Sequence, residues 1–353
     1  MKIQSIDLFC GSGGLTYGLR KAGIDVIAGL DSDLTCQYAY EANNKSVFIN
    51  ADISTYPASK LSALYAKDAI KVLAGCAPCQ TFSKHTQKIK NRENDQKWNL
   101  LYQFSNKIQD IKPDIISMEN VPGLAKYQVF EDFLATLAVM KYKVSYKVVA
   151  CEKYGIPQTR RRLVLLASKL GKIELIPYTH PNLEDYVTVG DILGVSSKCH
   201  LPKINHGESD LADKLHKSAT LSEINLKRIQ SSRPGGTWSD WNENLLPECY
   251  KKDSGKTYSS VYGRMSWGKP SPTITTQFYV YGTGRFGHPE QDRAISLREG
   301  ALLQTFPKTY KMIPPHREVS VKILGRHIGN AVPVRLGEVI GKSIVQHLGG
   351  YYD

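Results

Sequence analysis

The chain has 353 residues, a formal net charge of +13 and a mean hydropathy of −0.32. That length suffices for one large core or two unequal domains, and no apolar run approaches the roughly 20 residues a membrane-spanning helix needs. The start, Met1-Lys2-Ile3-Gln4-Ser5-Ile6-Asp7, lacks the apolar stretch of a signal peptide, so a soluble cytoplasmic protein is expected.

Ile3–Phe9 reads as a strand ending in the run Cys10-Gly11-Ser12-Gly13-Gly14, and Leu15–Ala22 as a helix stopped by Gly23. Val26–Leu30 is the next strand, closed by Asp31, and Leu34–Ala42 the next helix. Val47–Ile49 precedes Asp52, Ile70–Ala74 runs into Gly75-Cys76-Ala77-Pro78-Cys79, and Ile115–Met118 runs into Glu119-Asn120. Val144–Ala150 and Leu163–Ala167 complete the set. This alternation predicts an α/β fold built on a largely parallel, doubly wound, Rossmann-like sheet. Asp31, Cys79 and Glu119 each follow the carboxyl end of a predicted strand, where such sheets place their ligands. Beyond about residue 170 the pattern dissolves into Pro, Gly, Ser and Asn, and Arg233-Pro234-Gly235-Gly236-Thr237-Trp238 reads as an exposed turn. The predicted organisation is a first domain of residues 1–171 and 321–353, closed by a helix over Arg335–Leu348. A smaller, loop-rich domain occupies 172–320.

The excess of basic residues favours a polyanionic partner, with nucleic acid the leading class. Seven scattered cysteines make an odd set, which suits reduced thiols better than a disulfide framework. Cys76 and Cys79 match C-x-x-C, but no second pair completes a four-ligand zinc site, so no metal is expected. The Gly-rich turn lets a ligand approach the backbone closely, although many such turns bind nothing. Asp31 lies about 20 residues further on, the spacing at which a carboxylate meets ribose hydroxyls in this fold. Asp52 is placed to accept from an adenine amino group. Acidic groups suit a cationic sulfonium better than a pyrophosphate, which puts S-adenosylmethionine ahead of NAD.

Gly75-Cys76-Ala77-Pro78-Cys79-Gln80-Thr81-Phe82-Ser83 resembles the Pro-Cys-Gln nucleophile motif of the C5-cytosine DNA methyltransferases. Asp7-Leu8-Phe9-Cys10-Gly11-Ser12-Gly13-Gly14 is similar to that family's cofactor turn, and Glu119-Asn120-Val121 to its Glu-Asn-Val motif. Gln158-Thr159-Arg160-Arg161-Arg162 resembles its Gln-x-Arg-x-Arg, the stretch Arg293–Pro307 its ninth block and Gly329-Asn330-Ala331-Val332-Pro333 its last. All occur in the family's order. Two departures are conservative: Ala77 where a second proline is common, and Asp31 where Glu is common.

The resemblance implies S-adenosylmethionine as methyl donor, held by Phe9, Gly11, Ser12, Gly13, Gly14, Asp31, Asp52, Pro78, Asn330 and Val332. It implies that Cys79, as thiolate, adds to C6 of cytosine, splitting one difficult step into easier ones. Glu119 would meet ring N3, and Arg160 and Arg162 would orient the base, Glu119 and the adjoining phosphate. The base must leave the duplex stack to be reached. Lys84, Lys88, Lys90 and Arg92 are expected in a loop that closes over DNA phosphates, and Arg233 in the loop-rich domain that recognises the target. Trp238, Trp241, Tyr258 and Tyr262 either stack on bases or form that domain's small core. Double-stranded DNA is the expected partner of a monomeric enzyme, with a cognate endonuclease conceivable in the same system. The alternatives are the same chemistry on tRNA, or a non-catalytic DNA-binding scaffold.

Overall fold

In the computed structural model, residues 2–78, 99–252, 261–318 and 320–352 are described. Cys79, Lys84, Lys88, Lys90, Arg92 and Tyr258 lie outside them. The chain divides into two compact units, one of residues 1–154, 161–179 and 331–353, the other of 155–160 and 180–330. The division differs from the 172–320 expected from composition. Gly155–Arg160 and the helix Val321–Asn330 both group with the second unit.

The first unit is built on β1 (Ile3–Leu8), α1 (Gly14–Lys21), β2 (Asp25–Asp31), α2 (Gln37–Asn44), β3 (Val47–Asn50), α3 (Ala58–Ser62) and β4 (Ile70–Gly75). It continues through α4 (Asn99–Ile111), β5 (Ile115–Asn120), α5 (Gln128–Val139), β6 (Lys143–Ala150), β8 (Arg161–Ser168) and the last helix, α11 (Val334–Tyr352). The seven strands run in the order β3-β2-β1-β4-β5-β8-β6. Neighbours from β3 to β5 pair in parallel, whereas β8 is antiparallel to both β5 and β6. The largely parallel, doubly wound expectation therefore holds with a reversed strand near one edge. β5 is buried along its whole length, and β1 and β4 are buried over most of theirs. Ile6, Leu8, Phe104, Ile116, Phe130, Phe133 and Leu165 share one core.

The helix expected over Arg335–Leu348 is the central part of α11, and it packs on α1 at van der Waals range. A Cβ on Gly18 would lie 2.3 Å from the Val334 carbonyl oxygen, and one on Gly341 would lie 2.6 Å from the Ala22 side chain. Glycine is thus what lets the two backbones meet. Lys21 Nζ reaches Glu338 Oε2 at 3.2 Å beside that contact.

The second unit holds β7 (Gln158–Thr159), α6 (Val189–Leu193), α7 (Glu223–Gln230), α8 (Glu248–Lys251), β9 (Ser271–Pro272), α9 (Leu297–Leu303) and α10 (Val321–Asn330). Its one described sheet is the parallel pair β7–β9. So little regular structure leaves many backbone carbonyls to be satisfied in other ways, and buried arginines do much of it. Arg264 donates to the carbonyls of Ile229, Ser232, His288 and Gln291. Arg293, fully buried, meets both carboxylate oxygens of Glu299, at 2.7 and 2.8 Å. Glu299 also closes a capping box with Ser296 at the start of α9. Trp238 and Trp241 are buried in an apolar cluster, Trp238 stacked on Tyr250 and Trp241 edge-on to Tyr262. Of the two readings open for these tryptophans, the structure shows core packing. No helix among the described residues is long and apolar enough to cross a membrane.

Candidate active site

The carboxyl edge of the first unit's sheet collects most of the polar residues singled out in the sequence. After β1 the chain makes a tight turn in which Phe9, Gly11 and Gly13 take positive φ, at 61, 50 and 89°. A left-handed phenylalanine is strained, and such strain concentrates where a binding surface needs a particular backbone path. The turn is held down on β2: Phe9 N–H and Cys10 N–H both donate to the Leu30 carbonyl, at 2.7 and 3.2 Å. A Cβ on Gly11 would meet nothing within 4 Å, so the space over this turn is open. Ser12 and Gly14 are buried beneath it, with Gly14 opening α1.

Asp31 ends β2, half-buried. Its Oδ2 accepts Gly11 N–H and its Oδ1 accepts Asp33 N–H, both at 2.8 Å. Two charge-assisted bonds fix the carboxylate at the mouth of the turn, and a carboxylate has acceptor positions beyond these two. Asp52, exposed two residues past β3, accepts the Ser54 hydroxyl and amide on Oδ1 at 2.6 and 2.8 Å. Those bonds, the hydroxyl's first, hold its carboxyl below the usual range, and Oδ2 has no hydrogen bond among the described residues. An open glycine cradle flanked by two anionic side chains fits an adenosine carrying a sulfonium.

Beneath the turn lies Asp7, which the sequence marks only as the first residue of the Gly-rich motif. Its Oδ2 accepts the Thr16 hydroxyl at 2.7 Å, while Oδ1 is buried and makes no hydrogen bond among the described residues. Burial raises this carboxyl to about 7; the Thr16 bond opposes the rise and the charge of Asp31 adds to it.

Glu119 is the next-to-last residue of β5 and only 2% exposed. Arg162 Nε, from the adjoining strand β8, lies 2.8 Å from Oε1 as an ion pair whose N–H is not aligned as a hydrogen bond. On the other side the Cys76 thiol donates to Oε2 at 2.8 Å. Asn120 turns the opposite way along the strand: its Nδ2 donates to the Ala77 carbonyl at 3.1 Å and its Oδ1 accepts Val121 N–H. The segment Cys76-Ala77-Pro78 after β4 is thereby tied to the end of β5 at two points, with Pro78 exposed. Cys79 follows directly in the chain. Cys76 had no role in the sequence reading beyond an unexplained C-x-x-C. The only signal for its contact was the parallel pairing of β4 with β5, which sets both strand ends side by side.

Val332 is buried in the first unit just ahead of α11. Arg160 belongs to the second unit, where its buried guanidinium donates to the carbonyls of Ile274 and Gly329, at 2.9 and 3.4 Å. Gln158 beside it bonds the Leu303 carbonyl and the Gln304 side chain. Asn330 is exposed at the end of α10, and Arg233 is exposed beside Asp240, 3.5 Å away.

Comparisons with known proteins agree with one another. The sequence profile described as C-5 cytosine-specific DNA methylase matches residues 3–346. The chain is 52% identical over 351 residues to the Type II methylase M.HgiDII of Herpetosiphon aurantiacus, covering 99% of this chain and 96% of that one. It is 30% identical to the Type II methyltransferase M.Sau96I of Staphylococcus aureus, covering 97% of this chain and 75% of that one. Among solved structures, it superposes with a TM-score of 0.74 on an Escherichia coli prophage-encoded protein described as a candidate DNA modification methyltransferase. That match has 23% identity and covers 99% of this chain and all of the other, which speaks to the fold alone.

Proposed function

We infer the course of the reaction from one premise: this chain belongs to the C-5 cytosine-specific DNA methylase family and is a DNA (cytosine-5)-methyltransferase. The family implies S-adenosylmethionine as methyl donor and DNA as the substrate class. The finer reading is methylation at C5 of one cytosine within a short duplex sequence, through a covalent adduct on a base swung out of the stack.

On this reading Cys79, as thiolate, attacks C6 of the cytosine, and the electron pair displaced from the C5–C6 bond gathers on C5 and N3. Glu119 meets N3 and stabilises the charge that addition pushes into the ring. Arg162 holds Glu119 in place. Phe9, Gly11, Ser12, Gly13, Gly14, Asp31, Asp52, Pro78 and Val332 hold the cofactor, with Asp31 toward the ribose and Asp52 toward the adenine amino group. When bound, S-adenosylmethionine supplies the electrophilic methyl group that C5 takes up. Removal of the C5 proton then restores the double bond and expels Cys79. Lys84, Lys88, Lys90 and Arg92 contact DNA phosphates, and the second unit, with Arg233, selects the target. The enzyme acts as a monomer, since one extruded base needs one active site, and a Type II endonuclease of the same specificity accompanies it.

The observation that carries this reading is the clamping of Glu119, buried at the end of β5, between Arg162 and the strand end that leads to Cys79. Transfer of labelled methyl to unmethylated duplex DNA and, separately, to tRNA tests it, with bisulfite sequencing of the DNA product. Label at C5 of cytosine in one short DNA motif is expected. Label in tRNA alone moves the substrate to RNA, and label in neither overturns the catalytic reading in favour of a binding scaffold.

A further inference from the structure

We propose that Cys76 is a positioning residue for Glu119: its thiol holds one carboxylate oxygen, so that the other, paired with Arg162, is presented to the base. The proposal rests on the catalytic reading above, since it gives Cys76 a purpose only through Glu119.

A glutamate's terminal torsion is broad and two-fold, so a carboxyl at a strand end presents either oxygen unless something distinguishes them. Here the two oxygens have different surroundings. Oε2 accepts the Cys76 thiol at 2.8 Å. Oε1 is buried, has Arg162 Nε at 2.8 Å without hydrogen-bond alignment, and makes no hydrogen bond among the described residues. The Arg162 charge compensates this oxygen, and a ligand that brings an aligned donor supplies the hydrogen bond that the pair lacks. The ring nitrogen and exocyclic amino group of cytosine form such an edge.

A thiol is a weak donor, yet at 2.8 Å it sets the direction of the carboxyl. Glu119 is then fixed in direction against N3. Cys76 and Arg162 approach from the two strands that flank β5, namely β4 and β8. They are the titratable and charged side chains in contact with Glu119 among the described residues. The C-x-x-C spacing thus needs neither a metal nor a disulfide. One cysteine serves the acid and the other is the nucleophile.

The test is a double-mutant cycle on the full-length enzyme, reading the single-turnover rate of methyl transfer to duplex DNA together with the Kd for DNA and for S-adenosylmethionine. Cys76→Ala is expected to slow transfer about ten-fold, equivalent to ~1.4 kcal/mol, with both Kd values unchanged. Cys76→Val fills the volume without a donor and should give the same loss, which covers the case in which the alanine variant does not fold. Cys76→Ser restores a donor and should return the rate to within about three-fold of wild type. In the Glu119→Gln background, Cys76→Ala and Cys76→Val should cost nothing further, because Cys76 acts only through that carboxyl. An additive loss in that background, an unchanged rate in Cys76→Ala and Cys76→Val, or a loss confined to Kd would overturn the positioning role. A wild-type enzyme that transfers no methyl to duplex DNA would instead bring down the catalytic reading itself.

Discussion

The two units solve the problem of burying a backbone in different ways. In the first, seven hydrogen-bonded strands satisfy one another, and an apolar core from Ile6 to Leu165 fills the space under the helices. Of its buried charges among the described residues, Asp7 and Glu119 stand at the carboxyl edge of the sheet, while Lys107 and Glu338 lie on α4 and α11. In the second, strands two residues long leave carbonyls to be capped by Arg160, Arg264, Arg293 and Arg298, each almost wholly buried. The difference teaches where each unit can be damaged. Polar substitutions at the first unit's carboxyl edge fall on the candidate site, and in the second they fall on architecture.

The sharpest version of that contrast sets Glu119 against Arg293. Glu119→Gln keeps shape and hydrogen-bonding capacity and removes the acid, so single-turnover methyl transfer should fall by about 10²–10⁴-fold, with a smaller melting shift than Arg293→Met gives. Arg293→Met should do the reverse. It strands the buried Glu299 carboxylate and is expected to destabilise by about 3–5 kcal/mol, read as loss of amide protection in α9 by hydrogen exchange. Adding Glu299→Leu should recover most of that loss, because an apolar pair replaces a broken ionic one. A melting shift as large for Glu119→Gln as for Arg293→Met would erase the distinction.

A smaller effect separates the units by pH. Asp7 in the first unit has its carboxyl raised by burial from 3.8 to about 7. Between those values the folded chain holds a proton that the unfolded chain has lost, so this contribution is full below 3.8 and is lost as pH rises toward 7. His288 in the second unit is depressed from 6.5 to about 4, chiefly by burial, with Glu299 opposing and Arg293 reinforcing the shift. Its contribution has the opposite sign: it is full above 6.5 and is lost as pH falls toward 4. Glu299 adds to the second trend. Burial pushes its carboxyl up, but Arg293 pulls it further down, well below the usual range. Hydrogen exchange followed from pH 4 to 7 should therefore show β1 amides losing protection as pH rises and α9 amides gaining it. Asp7→Asn should flatten the first trend and leave the second. Parallel trends in the two units would contradict the assignment.

Legibility follows the same division. The first unit's strands could be placed to within a residue or two because apolar runs of fixed length end on glycine or acid, as at Gly11, Asp31 and Glu119. The reversal of β8 was not readable, since a strand's direction leaves no mark on its composition. Nor was the contact of Cys76 with Glu119, whose residues are 43 apart in the chain. In the second unit the contacts that hold it span 28 residues from Arg264 to Asp292 and 85 from Arg298 to Asp213. No periodicity reports such pairs. Gln158 and Arg160 show the limit most clearly. Read as one run with Arg162, they turn into the second unit, and Arg162 alone turns to Glu119.

The central claim is that Cys79 adds covalently to a cytosine presented against Glu119. Its most direct test is incubation of the enzyme with S-adenosylmethionine and duplex DNA carrying 5-fluorocytosine at the methylated position, followed by denaturing electrophoresis and peptide mapping. Fluorine replaces the C5 proton that must leave, so the adduct cannot resolve. The account predicts a stable protein–DNA conjugate attached through Cys79 and absent in Cys79→Ala. Methyl transfer without any conjugate, or a conjugate that persists in Cys79→Ala, would contradict it.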